Sequence, residues 1–559
     1  MPFKSSEQDV TIPTDLTIWD WLFDSSYSPL ARDGPIAGYT NAITGERIDY
    51  AKVKEYTTYL STALVKRYGL KQRETVALFS PNTIWYPVAM LGVLRAGGVM
   101  SGASPAYNIE EMTYALQTAN AKFLITVPSS MDVAVAAARK AGIPKERIFL
   151  LEGDVDGHTT MKQLLDIGKS FGREDQVSSF KIPKGKQNKD VCGLLSFSSG
   201  TTGLPKAVMI AHLNVIAQSL QIQPITPSDH DKVLAVLPCF HITALNHALH
   251  LPVLLNAEVY MLAAFTMKDM LDVTVKYKIK ELLIVPPILI RLVRDPIVDQ
   301  YDLSHLRRFS TGAAPISEEI IQLLQKKFPQ TKFKQGYGMT ESCSCITAHP
   351  PSKYDYKYAH TVGTLIPSTE AKIIDLDGTE LGINEPGEVL ARGPQVVMGY
   401  LNNPKATAET FDRDGWLHTG DQGFIDEEGL LTITDRIKEM IKVKGIGVAP
   451  AELEDLLLGH PEVEDTAVLG LHDDYSGERP KAYVVPKPGV VGDEAFGKGL
   501  IQYVKERKTR HKWVTEIEFV EEIPKSASGK ILRRVLKEKS KGASIGRVVR
   551  EDVKEKAKL

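Results

Sequence analysis

The sequence predicts an α/β fold, with a large N-terminal domain of α/β subdomains that adds a β-rich subdomain, and a small C-terminal α/β domain. Three observations carry this prediction. Short apolar runs bounded by turn residues alternate with helical stretches through residue 346, the layout of a largely parallel sheet. From 360 to 435 the pattern changes to short strands and Gly/Asp turns. After Asp435 a fresh strand-and-helix unit begins, long enough to hold its own core. The expected division is therefore 1–435 and 436–559.

Taken in order, helices are expected at 51–68 and 85–95, with buried strands at 75–79 and 122–127 between turn residues. Residues 172–188 are polar and charged, and read as a connection. An apolar strand at 191–195 leads into a loop, and a helix is expected over 208–220. Strands follow at 233–237 and 282–285. Two turns, Asp375-Leu376-Asp377-Gly378 and Asp426-Glu427-Glu428-Gly429, punctuate the β-rich part. In the last unit Leu453, Leu456 and Leu457 share one helical face at 451–458, opened by Pro450 and closed by Gly459 and Pro461. Strands at 463–471 and 481–485 and a helix over 493–508 complete it.

At 559 residues, with 43% hydrophobic and 24% charged residues, the chain has the composition of a globular protein of several domains. A net charge of −2 supplies no basic field for nucleic acid or a membrane surface. Cys192, Cys239, Cys343 and Cys345 are too scattered for a disulfide framework, and Cys343-Ser344-Cys345 lacks the second Cys or His pair of a zinc site. Residues 1–14 have no apolar signal core. The most apolar stretch, 281–290, is short and broken by Pro286-Pro287, so no membrane span is expected. The chain ends Ala557-Lys558-Leu559, which differs from the Ser-Lys-Leu peroxisomal address only by Ser→Ala. A peroxisomal location, with an import receptor as partner, is the expectation.

Six stretches carry chemistry. Ser196-Phe197-Ser198-Ser199-Gly200-Thr201-Thr202-Gly203-Leu204-Pro205-Lys206 is dense in N–H and O–H donors and ends in a lysine, which suits a polyphosphate. It is not a Walker A loop, because Pro205 precedes the lysine. In Gln335-Gly336-Tyr337-Gly338-Met339-Thr340-Glu341-Ser342 the glycines permit close backbone approach, and Glu341 can hold a hard cation; the alternative is a plain Gly-rich turn. His418-Thr419-Gly420-Asp421 ends in a carboxylate able to accept from two vicinal hydroxyls, or is an ordinary turn. The alternating lysines of residues 435–445 suit a solvated linker or a surface strand. Lys530, after Ser528-Gly529, sits on a loop that could bring charge to a phosphoryl group, or merely solvates the tail. His241, after Pro238-Cys239-Phe240, is a core histidine, a gate or a base.

In this order and spacing these stretches resemble the adenylate-forming superfamily of acyl-CoA synthetases, peptide-synthetase adenylation domains and beetle luciferases, with the greatest similarity to 4-coumarate:CoA ligases. The resemblance implies ATP-dependent conversion of a carboxylic acid to an acyl-adenylate, then displacement of AMP by coenzyme A. It implies that Ser198, Ser199, Gly200, Thr201, Thr202, Gly203 and Lys206 hold the β- and γ-phosphates, and that Thr201 and Glu341 help bind Mg²⁺. Gly312, Ala313 and Ala314, with Gln335, Gly336, Tyr337 and Gly338, would flank the adenine. Thr340 would touch the α-phosphate, and Asp421, with Arg436, would hold the ribose. Lys530 would stabilise the adenylation transition state. A small domain that rotates about Lys438 would then withdraw Lys530 and deliver Lys442 and the Lys444-Gly445 turn for thioester formation.

The resemblance places His241, Thr243, His247, Gly336 and Ser344 around the acid. Amino-acid-activating relatives carry an Asp where His241 stands, which argues against an amino acid. Thr243 and His247 replace the Tyr and Ser of plant coumarate ligases, so coumarate is not carried over. With the peroxisomal ending, the expected substrate is a fatty, arylalkanoic or secondary-metabolite carboxylic acid. Ligation to a carrier protein and a luciferase-like oxygenation are the alternatives.

Overall fold

The computed structural model describes residues 2–198, 205–312, 316, 318–444, 446–473, 476–526, 529–540, 544 and 546–551. An eight-stranded sheet forms the first layer, in the order Gly399–Tyr400, Lys206–Ala211, Cys192–Ser198, Val99–Ala103, Thr75–Phe79, Ala121–Thr126, Ile148–Leu150 and Thr159–Thr160. From Cys192–Ser198 to Thr159–Thr160 the pairings are parallel, and the other two strands add antiparallel at one edge. Helices Tyr50–Thr62 and Tyr86–Arg95 cover it, as their apolar spacing requires. The largest core, holding Trp19, Trp21, Tyr39 and Tyr86, lies on that side.

A four-stranded sheet carries Lys232–Ala235, and a five-stranded sheet joins Glu281–Leu283, Arg308–Thr311 and Lys332–Met339 in parallel before two antiparallel strands. The β-rich part is an antiparallel five-stranded sheet that includes Gly387–Arg392, Leu417–Ile425 and Leu431–Arg436. A separate six-stranded sheet is built from residues 441–550, with helices Pro450–Leu458 and Glu494–Arg507 over its own core of Leu453, Leu457, Leu500 and Val504. The chain is thus a large N-terminal domain and a small C-terminal one. Among the described residues, no helix is long and apolar enough to cross a membrane.

Two sequence expectations are corrected and two are sharpened. Residues 206–211 form a strand, and the helix begins at His212, where Asn214 Oδ1 accepts from the Ala211 N–H at 2.7 Å. A short apolar run buried on both faces cannot be told from a helix by periodicity alone. The strand expected at 282–285 is Glu281–Leu283, and Pro286 then opens the helix Pro286–Arg294. Of the two readings of residues 435–445, the structure shows the linker with a turn and not one lysine-faced strand. The strand ends at Arg436, a turn follows in which the N–H groups of Glu439 and Met440 donate to Arg436 O, and Ile441–Val443 starts the small sheet. The strand expected at 481–485 runs over Gly477–Pro486, half of a long ribbon with Val463–Asp473.

Candidate active site

Residues 198–206, the candidate phosphate loop, join two antiparallel strands, so that Ser198, the last residue of one, lies opposite Lys206, the first of the next. Ser199, Gly200, Thr201, Thr202 and Gly203 lie outside the described residues. Both flanking residues line a cavity of about 560 Å³. The Lys206 ammonium sits 4.3 Å from the centre of the Tyr400 ring, and the Tyr400 hydroxyl donates to Glu341 Oε1 at 2.7 Å. Burial, then the Glu341 charge, raises the pKa of that hydroxyl, so it remains a donor. Tyr400, a lone Tyr after Met398-Gly399, carries no local signal in the sequence.

The end expected to take the nucleotide is fixed by strand register. Asp421 and Arg436 are direct partners on neighbouring antiparallel strands, and Arg436 Nε lies 3.3 Å from Asp421 Oδ1. The Tyr337 hydroxyl donates to Asp421 Oδ2 at 2.7 Å. Asp421 is 4% exposed, and its burial raises the carboxyl pKa against the opposing pull of Arg436. Gly338 must be glycine: a Cβ there would stand 1.6 Å from the Ser344 carbonyl oxygen. Gly312, Gly336 and Thr340 line the cavity, as does Thr311, whose buried hydroxyl has no hydrogen-bond partner among the described residues. Ala313 and Ala314 lie outside the described residues. Gln335 is placed elsewhere: its side-chain amide donates to the Ala359 carbonyl and its N–H to His349 Nδ1, because alternation along the strand turns it away from its cavity-lining neighbours Lys334 and Gly336.

Lys530 enters the same cavity from the small domain. Burial, with Arg436 adding repulsion, lowers its pKa to about 8. The preceding Gly529 has φ +80°, and a Cβ on it would meet the Pro287 ring of the large domain at 3.2 Å. Across the domain junction Arg294 Nη2 donates to Leu458 O at 3.3 Å. Arg533 pairs with Glu439 at 3.0 Å and with Glu454 at 2.7 Å, tying the connecting turn to the small domain. Lys438, in that turn, lines the cavity. Lys442 and Lys444 do not. Lys442 lies on Ile441–Val443 with its N–H bound to Glu478 Oε2 at 2.7 Å, and Lys444, at φ +53°, donates its N–H to Ser476 O. Gly445 lies outside the described residues.

The other end of the cavity carries His241, Thr243, His247, Gly336 and Ser344. His241 caps the short helix Ile242–Ala244, its Nδ1 accepting from the Thr243 N–H at 3.4 Å, and burial lowers its pKa to about 4. It is therefore neutral near pH 7. Burial also lowers the His247 pKa, to about 3, and its Nε2 lies 3.3 Å from Ser344 Oγ. Ser344 reaches it from a backbone at φ +104°, which strains a residue with a side chain. All four cysteines are free, and burial pushes the Cys343 thiol up to about 12. Among the described residues no group of three or more His, Cys, Asp and Glu could hold a metal ion.

A carboxylate–tyrosine–arginine cluster, Lys206, Lys530 and the recess lined by His241, Thr243 and His247 therefore share one cavity. Residues 37–401 match the family model described as AMP-binding enzyme, and residues 452–530 match its C-terminal domain. The chain belongs to the AMP-binding enzyme family. This AMP-binding enzyme is 35% identical to 4-coumarate–CoA ligase of Vanilla planifolia over 97% of each chain, and 35% identical to 4-coumarate–CoA ligase-like 1 of Arabidopsis thaliana over 96% of each. It superposes on ATP-bound MatB from Rhodopseudomonas palustris with a TM-score of 0.80 at 26% identity, covering 94% of this chain and 99% of that one. The anthranilate CoA ligase AuaEII bound to anthranoyl-AMP has the same fold, with a TM-score of 0.83 at 23% identity, covering 95% and 98%. The chain is an AMP-forming acid–CoA ligase of the adenylate-forming superfamily.

Proposed function

We propose that this ligase activates a fatty, arylalkanoic or secondary-metabolite carboxylic acid in two half-reactions run by two orientations of the small domain. The observation that carries this reading is the position of Lys530, in one cavity with Asp421, Glu341 and His241 while Lys442 stands outside. A carboxylate is a poor electrophile. Its oxygen attacks the α-phosphorus of ATP, pyrophosphate leaves, and the mixed anhydride keeps the acyl carbon reactive. Charge accumulates on the α-phosphate oxygens in that step, and a fixed ammonium there lowers the barrier because it is positioned before the reaction. Lys530 supplies that ammonium, Lys206 meets the leaving phosphates, Asp421 accepts from the ribose hydroxyls, and Thr340 reaches the α-phosphate.

Glu341 fits a hard cation: one carboxylate oxygen is held by Tyr400, and the other has no hydrogen bond among the described residues. Together with Thr201 it would hold Mg²⁺, which neutralises phosphate charge when bound. Rotation about Lys438 would withdraw Lys530 and bring Lys442 to the adenylate, where the coenzyme A thiolate attacks the acyl carbon and AMP departs. The ending Ala557-Lys558-Leu559, outside the described residues, supports a peroxisomal location through an import receptor.

The test is pyrophosphate release with Mg-ATP over medium- and long-chain fatty acids, phenylacetate, cinnamates and bulkier aryl-alkenoic acids, with and without coenzyme A, and products identified by mass. A coenzyme A thioester from one of these acids is the expected result. Adenylate that loads only a carrier protein, or light and oxygen uptake, would replace this reading.

A further inference from the structure

Three parallel strands, Glu281–Leu283, Arg308–Thr311 and Lys332–Met339, form one wall of the acid-binding recess. Their register sets Glu281 beside Arg308, and Leu283 beside Ser310 and Lys334. Alternation sends Leu282, Phe309 and Phe333 into the core behind the sheet, each 0% exposed. The opposite face therefore carries Glu281, Ser310 and Lys334, and all three line the cavity, joined by His230 from a neighbouring loop. A recess for an unsubstituted chain has no use for such a wall, since a buried ammonium or carboxylate is costly unless partnered.

The partners are unevenly shared. Glu281 is well held: Arg308 Nε lies 2.9 Å from its Oε2, His230 Nδ1 3.3 Å from the same oxygen, and the Ser310 hydroxyl donates to Oε1. Arg308 also pairs with Asp229 at 2.7 Å. Lys334 is not so held. Among the described residues the nearest carboxylate oxygen to its largely buried ammonium, Glu281 Oε1, is 4.0 Å away, and Tyr354 provides its other contact. An ammonium with three donors thus faces the recess with capacity left over. The two cations, Arg308 and Lys334, already balance the two carboxylates, Asp229 and Glu281, so a second carboxylate on the substrate would arrive without a counter-charge.

We propose that the acid carries a neutral oxygen, a hydroxyl or a carbonyl, at the end of its tail remote from the reacting carboxylate, and that Lys334 donates to that oxygen. Where the group is a hydroxyl, its proton can be accepted by Glu281. This assignment rests on the acid–CoA ligase reading above and narrows it from acids in general to those with an oxygenated tail. Lys334 becomes the specificity-determining residue.

The experiment compares acids that differ by one oxygen: an alkanoate with its ω-hydroxy and ω-carboxy forms, and an arylalkanoate with its para-hydroxy form. kcat/KM for pyrophosphate release is read for each. A hydrogen bond to a charged group predicts a preference of roughly ten- to a hundredfold for the hydroxylated member of at least one pair, with the ω-carboxy acid below the ω-hydroxy acid. Lys334→Met should bring that ratio toward one, a change that general damage to the protein would not produce because it lowers both acids alike. Lys334→Gln should restore part of the preference, and it stands in if the Met variant does not fold. Equal turnover of both members by the native enzyme, or an unchanged ratio in the variants, overturns the assignment and leaves the ligase reading intact. Absence of pyrophosphate release with every acid, hydroxylated ones included, overturns both.

Discussion

The Tyr400 hydroxyl donates to Glu341 Oε1 at 2.7 Å while the face of its ring carries the Lys206 ammonium at 4.3 Å. One tyrosine therefore fixes both the residue that would meet the metal and the cation that would meet the phosphates. Tyr400→Phe keeps the ring and removes only the donor. A hydrogen bond to a carboxylate contributes about 1.5–3 kcal/mol. Pyrophosphate release should slow by at least about tenfold at fixed Mg²⁺ by the same figure, with the Mg²⁺ half-saturation point displaced. A Mg²⁺ titration that superposes on the native one would detach Tyr400 from this role.

Asp421 and Arg436 face each other across two strands, with Tyr337 donating to the same carboxylate. Asp421→Asn keeps the shape but loses the charge that holds Arg436 and the acceptor pair that a ribose needs. KM for ATP should rise by about tenfold or more, the scale of one charge-assisted hydrogen bond. KM for the acid should change little. A rise confined to the acid KM would place the nucleotide elsewhere.

Gly529 has a positive φ, and a Cβ added there would press on the Pro287 ring of the large domain at 3.2 Å. In the proposed two-orientation cycle that contact is made only while the small domain holds Lys530 in the cavity. Gly529→Ala should slow adenylation while sparing thioester formation from preformed acyl-adenylate. Equal loss in both half-reactions would count against the domain-orientation argument.

Burial lowers the Lys530 pKa from the ordinary lysine range to about 8. The working form is the protonated one, so adenylation is supported below that value and lost as the pH rises through it. kcat/KM for pyrophosphate release should fall above about pH 8, and Lys530→Arg, which cannot deprotonate in this range, should remove the bend. His241, with a pKa near 4, should contribute nothing to the profile between pH 6 and 8. A bend that persists in the Arg variant would assign it to another group.

Much of this was readable in the chain, and the reasons differ from residue to residue. The Pro450 start and Gly459 stop of the helix Pro450–Leu458 are local chemistry, and the helix lies within a residue of its expected bounds. Asp421, Lys206 and Lys530 lie in motifs that stand out in the sequence as candidate contacts, and all three line the one cavity. Tyr400 was invisible because its meaning comes only from strand pairing with Val208, which brings it beside Glu341 from far along the chain. Lys334 had a signal that went unused. Lys332-Phe333-Lys334 and Arg308-Phe309-Ser310 are polar on one face and apolar on the other, and Glu281-Leu282-Leu283 adds Glu281 to that polar face beside the apolar Leu283. Gln335 went the other way, since strand alternation turns it out of the cavity although its motif is otherwise at the site.

The most direct test of the account separates the half-reactions in two variants. Lys530→Ala should lower the rate of acyl-adenylate formation by at least about a hundredfold, the scale of removing one preorganised charge from a transition state, and should still convert supplied acyl-adenylate and coenzyme A to thioester. Lys442→Ala should show the reverse, with adenylation near the native rate and thioester formation slowed. Native-like adenylate formation by Lys530→Ala, or the same loss in both half-reactions for both variants, would contradict the assignment of one lysine to each step.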